Sequence, residues 1–219
     1  MSPARRIAFD ILLKVEAGGL STPLLAERTS GLDSRDAGLA TELVLGVLRR
    51  RAQVRFLAAA RASRPLESLD PPVRAALELG VYQLRFLDRI PPHAAVAESV
   101  ELVKQAGARS AAGLVNAVPR RLPTLPPQWP SADVAASMPA WLLERWIRRF
   151  GHDAAMAAAQ AALETPSVYV RIPPASAPGP ELHATGAPGC YLVPPGAPVH
   201  GRVQDIGSQA IVPLLDLQP

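Results

Sequence analysis

The chain has 219 residues, 48% hydrophobic and 5% aromatic, with a formal net charge of +4. This much apolar content excludes a disordered chain, a single cysteine excludes an internal disulfide framework or a cysteine-based zinc site, and no apolar run reaches membrane-spanning length. The basic first residues run into an amphipathic segment holding Asp10, Lys14 and Glu16, not a signal-peptide core, so a cytoplasmic location is expected.

Pro3 to Ala17 reads as a helix with Ile7, Ile11 and Val15 on one face, closed by Gly18-Gly19. Ser21 to Ser30 reads as a second, capped by Ser21 or Thr22 with Pro23 in its first turn. Asp33 or Ser34 caps a third, with Leu39, Leu43 and Val47 at spacing four and Gly46 leaving room for close helix contact. After Arg49-Arg50-Arg51 a helical segment carries Val54, Leu57 and Ala58, and Arg64-Pro65 breaks it. A short turn over 66–69 precedes Pro71-Pro72, which start a helix with the stripe Leu77, Val81 and Leu84. Ile90-Pro91-Pro92 ends that helix and starts the next, which carries Val96, Val100 and Val103 and closes at Gly107. Leu114, Val115 and Val118 mark one more. Residues 1–122 therefore predict an all-α bundle of six or seven helices.

Proline content then shifts: 17 of the 24 prolines lie at or after Pro119. The segment Leu122–Pro130 cannot be helical, and a domain boundary is expected there. Beyond it Pro139 starts a helix with Trp141, Leu142, Trp146, Ile147 and Phe150, ended by Gly151, and an alanine-rich helix runs from His152 to Leu163. Ser167 to Ile172 alternates and is β-branched, which predicts a strand, with shorter strands at Glu181–Ala184 and Cys190–Val193. Residues 201–206 lead into a last helix, Ser208 to Leu217, with Ala210, Ile211, Leu214 and Leu215 on its apolar side. The fold class is mainly α, a helical bundle over 1–125 followed by a small α+β domain over 131–200 and a further segment at 201–219.

Residues 1–125 hold 18 lysines and arginines against 12 acidic residues, whereas the remainder holds 5 against 7, so the basic surplus lies wholly in the N-terminal part. Three clusters concentrate it: Arg5-Arg6, Arg49-Arg50-Arg51 and Arg120-Arg121. A guanidinium offers a planar fork of donors that fits phosphate oxygens, and three such clusters on one basic all-α domain make RNA or DNA binding as good a reading as a solvated surface. His93 has no sequence partner and reads as a structural or surface histidine. Asn116 lies among apolar residues and is expected to tie two helices together. Cys190 has no activating neighbour and reads as a core residue. The chain contains no phosphate-binding glycine loop, zinc-protease motif or nucleophile elbow, hence no recognisable catalytic or metal site.

Two segments, LGVYQLRFLDRIPPHAAVAESVELVK (79–104) and LVNAVPRRL (114–122), resemble the C-terminal half of a NusB-type RNA-binding domain. The closer likeness is to the version that begins the RsmB (Sun/Fmu) family of bacterial small-subunit rRNA cytosine-C5 methyltransferases. The Gly46-x-x-Arg49 step and Arg5-Arg6 fit the same pattern. MPAWLLERWIRRFG (138–151) and SVYVRI (167–172) resemble that family's linker domain, and Val203 to Gln209 resembles the entry to its Rossmann-like methyltransferase domain.

The resemblance implies a NusB-like domain that docks small-subunit (16S) rRNA through Arg5, Arg6, Arg49, Arg50, Arg51, Arg120 and Arg121, and a linker domain leading into a methyltransferase domain. It implies S-adenosylmethionine as the cofactor of the full-length enzyme. The cofactor loop and two catalytic cysteines are then expected beyond Pro219, so that this chain by itself holds no catalytic residue, is inactive, and depends on the missing C-terminal domain. Pro119 replaces a leucine usual in the family and predicts that its helix bends or ends near Ala117. An alternative is a stand-alone NusB-type antitermination regulator that binds leader RNA with a ribosomal S10-like partner. A protein-interaction module of the same helical fold is a third reading.

Overall fold

In chain order the helices are α1 (Pro3–Glu16), α2 (Ser21–Thr29), α3 (Ser34–Arg49), α4 (Arg51–Ala59), α5 (Pro71–Phe86), α6 (Pro92–Gln105), α7 (Ala112–Arg120), α8 (Ala132–Ala135), α9 (Ala140–Phe150), α10 (His152–Ala161) and α11 (Ile206–Leu214). The strands are β1 (Val168–Arg171), β2 (His183–Ala184), β3 (Cys190–Val193) and β4 (Arg202–Val203). This computed structural model describes residues 1–62, 64–122, 127–194 and 196–214, apart from the side chains at 212 and 213. The fold is mainly α, and the chain divides into two compact units, Met1–Glu164 and Thr165–Pro219.

Helix α5 is the axis of the first unit. It packs against α1, α3, α4, α6 and α7, so it is buried on nearly every side from Val73 to Gln83. The sequence stripe Leu77, Val81 and Leu84 covers only part of that surface, because a helix surrounded by neighbours is apolar all round. Two glycines let neighbours approach. Tyr82 of α5 lies directly where a Gly46 side chain would stand, and its hydroxyl donates to Glu42 at 2.5 Å. A Cβ at Gly80 would meet Ser99 Oγ at 3.0 Å and Pro119 Cγ at 3.4 Å.

The contact at Gly80 explains why Pro119 does not end α7 near Ala117. The helix continues to Arg120, because the proline stands in its last turn, where the missing N–H forfeits a single intrahelical bond. Its buried ring instead packs beside Gly80. Asn116, expected in the core, is exposed: the buried face of α7 is made by Val115, Val118 and Pro119, and Asn116 lies off it. In α2 the N-cap is Leu20, without a side-chain cap, whereas α3 is capped by Asp33, whose Oδ1 accepts from the Asp36 N–H at 2.9 Å.

Helices α8 to α10 belong to the first unit, so the expected boundary at Leu122–Pro130 lies inside it, and residues 123–126 of that stretch are outside those described. Three polar ties run from the start of α4. The Ala52 N–H donates to Ser137 Oγ at 3.0 Å, Gln53 Nε2 donates to the Ala135 carbonyl at 2.6 Å, and Arg50 Nη2 donates to the Leu163 carbonyl at 3.2 Å. Helix α4 has no side-chain cap of its own, so the Ser137 hydroxyl satisfies one of its free first-turn donors. Ser137 has a φ of 46°, and the Met138 N–H bonds the Asp133 carbonyl at 3.0 Å, a Schellman closure with serine in glycine's usual place. Gly151, at a φ of 83°, makes the corner between α9 and α10.

The second unit holds an antiparallel sheet in the order β2-β3-β1-β4. Val170 of β1 pairs with Tyr191 of β3 and Val203 of β4, and Val170, Ile172, Leu182 and Val193 form the core. Cys190 is buried on β3, as expected. Residues 202–203 form an edge strand where only an approach to a helix was expected, and Gly201 turns into it with a φ of 97°. Helix α11 begins at Ile206, because Asp205 Oδ1 accepts from the Gly207 N–H at 2.8 Å. The expected end of this helix at Leu217, and its Leu215, lie outside the described residues.

Candidate nucleic-acid interface

The seven arginines singled out by sequence fall into two groups. Arg6, Arg120 and Arg121 are exposed. Arg6 Nε bonds Asp10 at 3.1 Å and its Nη1 reaches Gln105 on α6 at 2.8 Å, an exposed arrangement that a phosphate can compete for at little cost. Among the described residues the side chains of Arg120 and Arg121 make no hydrogen bond or ion pair. Arg49 is half-buried and its charge acts on the Tyr82 hydroxyl. Burial first, then the Glu42 carboxylate, push that hydroxyl's pKa well up, against the opposing effect of Arg49 and Arg50.

The other arginines have their donors engaged within the protein. Arg5 Nε donates at 2.6 Å to Gln83 Oε1, a buried amide on α5. Arg50 lies 4.9 Å over the Phe86 ring and bonds Gln53 Oε1 at 3.1 Å, besides its tie to Leu163. Arg51 pairs with Glu16 of α1 and, at 3.4 Å, with Glu78 of α5. Arg55 joins the same two carboxylates at 3.2 and 2.6 Å, and Arg74 reaches Glu16 at 3.2 Å. Burial raises the Glu16 carboxyl, but Arg51, Arg55 and Arg74 outweigh it and hold the group below its ordinary value. The Arg55 guanidinium is likewise lowered by burial but raised overall by Glu78 and Glu16.

Sequence reasoning missed this network, although a signal was present. Glu78 interrupts an apolar run on α5, Arg74 precedes it by four, and Arg51 and Arg55 are four apart on α4. A charge inside an apolar stripe calls for a partner of opposite sign.

A second missed feature is a groove of about 680 Å³ where the ends of α5 and α7 meet the start of α6. Arg85, His93 and Arg120 stand around its apolar lining, which includes Leu84, Val96 and Pro119. His93 is exposed there. Two guanidinium groups beside apolar surface suit an anionic ligand with flat faces. Among the described residues no group of three His, Cys, Asp or Glu side chains could hold a metal, and no helix is long and apolar enough to cross a membrane.

The sequence profile of the NusB family matches residues 2–123. The chain is 43% identical over 149 residues to ribosomal RNA small subunit methyltransferase B of Thermus thermophilus, covering 67% of this chain and 36% of that protein. It is 31% identical over 185 residues to the probable ribosomal RNA small subunit methyltransferase B of Synechocystis, covering 80% of this chain and 42% of that protein. The chain thus spans about two fifths of the length of these relatives. A solved structure of the antitermination factors NusB and NusE in complex with dsRNA matches at 25% identity with a TM-score of 0.50, over 54% of this chain and 92% of that one.

Proposed function

The chain belongs to the NusB family, and from this membership we propose that it is the RNA-docking front portion of a small-subunit rRNA cytosine-C5 methyltransferase. The observation that carries the reading is how far the likeness extends. The antitermination factor matches 54% of the chain, but the Synechocystis methyltransferase matches 80%. A stand-alone antitermination regulator leaves most of the chain beyond the bundle without a counterpart. In this reading 1–125 binds RNA, 131–200 links, and 201–219 leads into a domain that takes S-adenosylmethionine and methylates rRNA, in the cytoplasm.

The RNA-facing set is Arg6, Arg49, Arg120 and Arg121, with Arg5 beside them. Arg50 and Arg51 act indirectly, by fixing α4. Arg5 carries a second duty, because its loss strands the buried Gln83 oxygen. The deciding experiment is titration of a small-subunit rRNA hairpin and a ribosomal-operon leader RNA against the chain across a salt series. The hairpin is expected to bind more tightly, with log affinity falling linearly in log salt. Arg6→Ala combined with Arg120→Ala and Arg121→Ala should flatten that slope by about 0.7–0.9 for each phosphate no longer neutralised, with the melting temperature unchanged. Preference for the leader RNA together with binding of an S10-like protein would establish the antitermination reading instead. A salt-independent response would refute RNA docking.

A further inference from the structure

Helix α9 lies outside the residues matched by the family profile, and it presents a surface that no feature of the bundle uses. Leu142, Trp146 and Phe150 follow at i, i+4 and i+8 and form one strip, while Trp141, Arg145 and Arg148 at i, i+4 and i+7 form the strip beside it. Arg149 lies between them, its guanidinium 5.9 Å from the Phe150 ring centre. A hollow of about 600 Å³ runs along this face, lined by Leu142, Arg145, Trp146, Arg148, Arg149 and Phe150. The helix is anchored through Leu143, which packs with Ala136 and Ala159, and the half-buried Trp146 and Ile147 pack against the same cluster, so the open part of the strip is Trp141, Phe150 and the three arginines. Trp141 is 64% exposed and Phe150 62% exposed.

Two large aromatic rings in water are costly unless a partner covers them, and the charges identify that partner. Three arginines share the face with one acid, Glu144, which meets Arg148 at 3.9 Å, both side chains being more than two-thirds exposed. A protein covering this face would strip water from three guanidinium groups and would need buried acids to match them. A nucleic-acid strand supplies a phosphate for each cation and a flat base for each ring. The bases must be unpaired, because a duplex keeps their faces stacked inside it.

We propose that this face of α9 binds an unpaired RNA strand, with bases on Trp141 and Phe150 and phosphates on Arg145, Arg148 and Arg149. From Trp141 to Phe150 the helix rises about 13 Å and turns through about half a revolution, so a strand that meets both rings runs obliquely across the arginine-bearing side and is longer than the roughly four nucleotides that the rise alone would take. The inference deepens the RNA-docking reading and rests on it. It adds a second contact, specific for single strands, to the bundle's phosphate contacts.

The test uses the whole chain and two fluorescent probes, a uridine octanucleotide and a blunt RNA duplex, followed by anisotropy. Trp141→Ala and Phe150→Ala should each weaken the octanucleotide about tenfold and leave duplex affinity and the melting curve unchanged. Phe150→Tyr should restore binding, since it keeps the ring. Arg145→Gln with Arg148→Gln and Arg149→Gln should flatten the octanucleotide salt slope by about 2, at roughly 0.7 per phosphate of a single strand. If the native chain binds both probes and the aromatic variants bind the octanucleotide as tightly as it does, the α9 proposal fails and RNA docking by the bundle stands. If the native chain binds neither probe, both readings fail. Loss of self-association in the aromatic variants with RNA affinity intact would assign the face to a second copy and overturn the proposal.

Discussion

Replacing Glu78 by glutamine removes a charge from the most enclosed point of the ion network. The side chain is 3% exposed, its Oε1 accepts from Arg55 Nε at 2.6 Å, and its Oε2 is 3.4 Å from Arg51 Nε. Glutamine keeps one oxygen for Arg55 but turns an NH2 group toward Arg51, donor against donor. Removing one partner of a buried pair costs about 3–5 kcal/mol when the other charge is left unpaired. Here both arginines keep Glu16, and they retain 26% and 34% of their side-chain exposure. The expected cost therefore falls to about 2–3 kcal/mol, or about 5–10 °C in melting temperature for a unit of this size. Urea denaturation followed by circular dichroism measures it, with Glu16→Gln as the control. Glu16 is more exposed, Arg51 and Arg55 keep Glu78, and Arg74 keeps its bonds to the Glu67 and Leu69 carbonyls, so its loss should cost below about 1 kcal/mol. Equal losses for the two variants would refute the claim that burial at Glu78 sets the strength of the network.

Acid should act through Glu16. Its carboxyl is held below the ordinary value of 4.5 in the folded chain, so its stabilisation is present above that value and is lost as pH falls through the lower folded value. Melting scans should show this acid loss reduced in Glu16→Gln. Gly46→Ala should cost about 1–3 kcal/mol, read from urea midpoints, because its methyl group would displace Tyr82 and the bond to Glu42. Gln53→Ala removes the donor to the Ala135 carbonyl and an acceptor for Arg50. Hydrogen exchange should then quicken in α8 to α10 while α5 stays protected, and unchanged exchange in α8 to α10 would remove these bonds from the account.

The long helices were legible because each signals itself within its own sequence. Apolar spacing marked α1, α3, α5 and α6, and prolines and glycines set most of their ends. What escaped depends on distant partners. Helix α8 has four residues, too few to show a period, and it is held by Gln53 and Ser137. Strand β4 has two residues and exists only by pairing with β1. Asn116 stands beside apolar residues in sequence but points off the buried face, since a helix of nine residues places only every third or fourth side chain inward. Proline content marked Leu122–Pro130 as a change of chain character. The packing division falls later because polar ties from α4 bind the next three helices to the bundle.

The arginine clusters carry the same lesson into the candidate interface. Arg49-Arg50-Arg51 is the densest run of positive charge in the sequence, yet the guanidinium groups of Arg50 and Arg51 are both used inside the fold. The acids that hold Arg51, Glu16 and Glu78, come from α1 and α5, and the Leu163 carbonyl that holds Arg50 comes from beyond α10, all far away in sequence. Local net charge therefore overstates the free charge there. At Arg120-Arg121 no described carboxylate is paired with either side chain, and in α9 three exposed arginines answer to one acid. Phosphate binding is strongest where a cation need not abandon an existing partner. By that criterion the end of α7 and the outer face of α9 are better placed to meet RNA than the triple arginine that sequence density favoured.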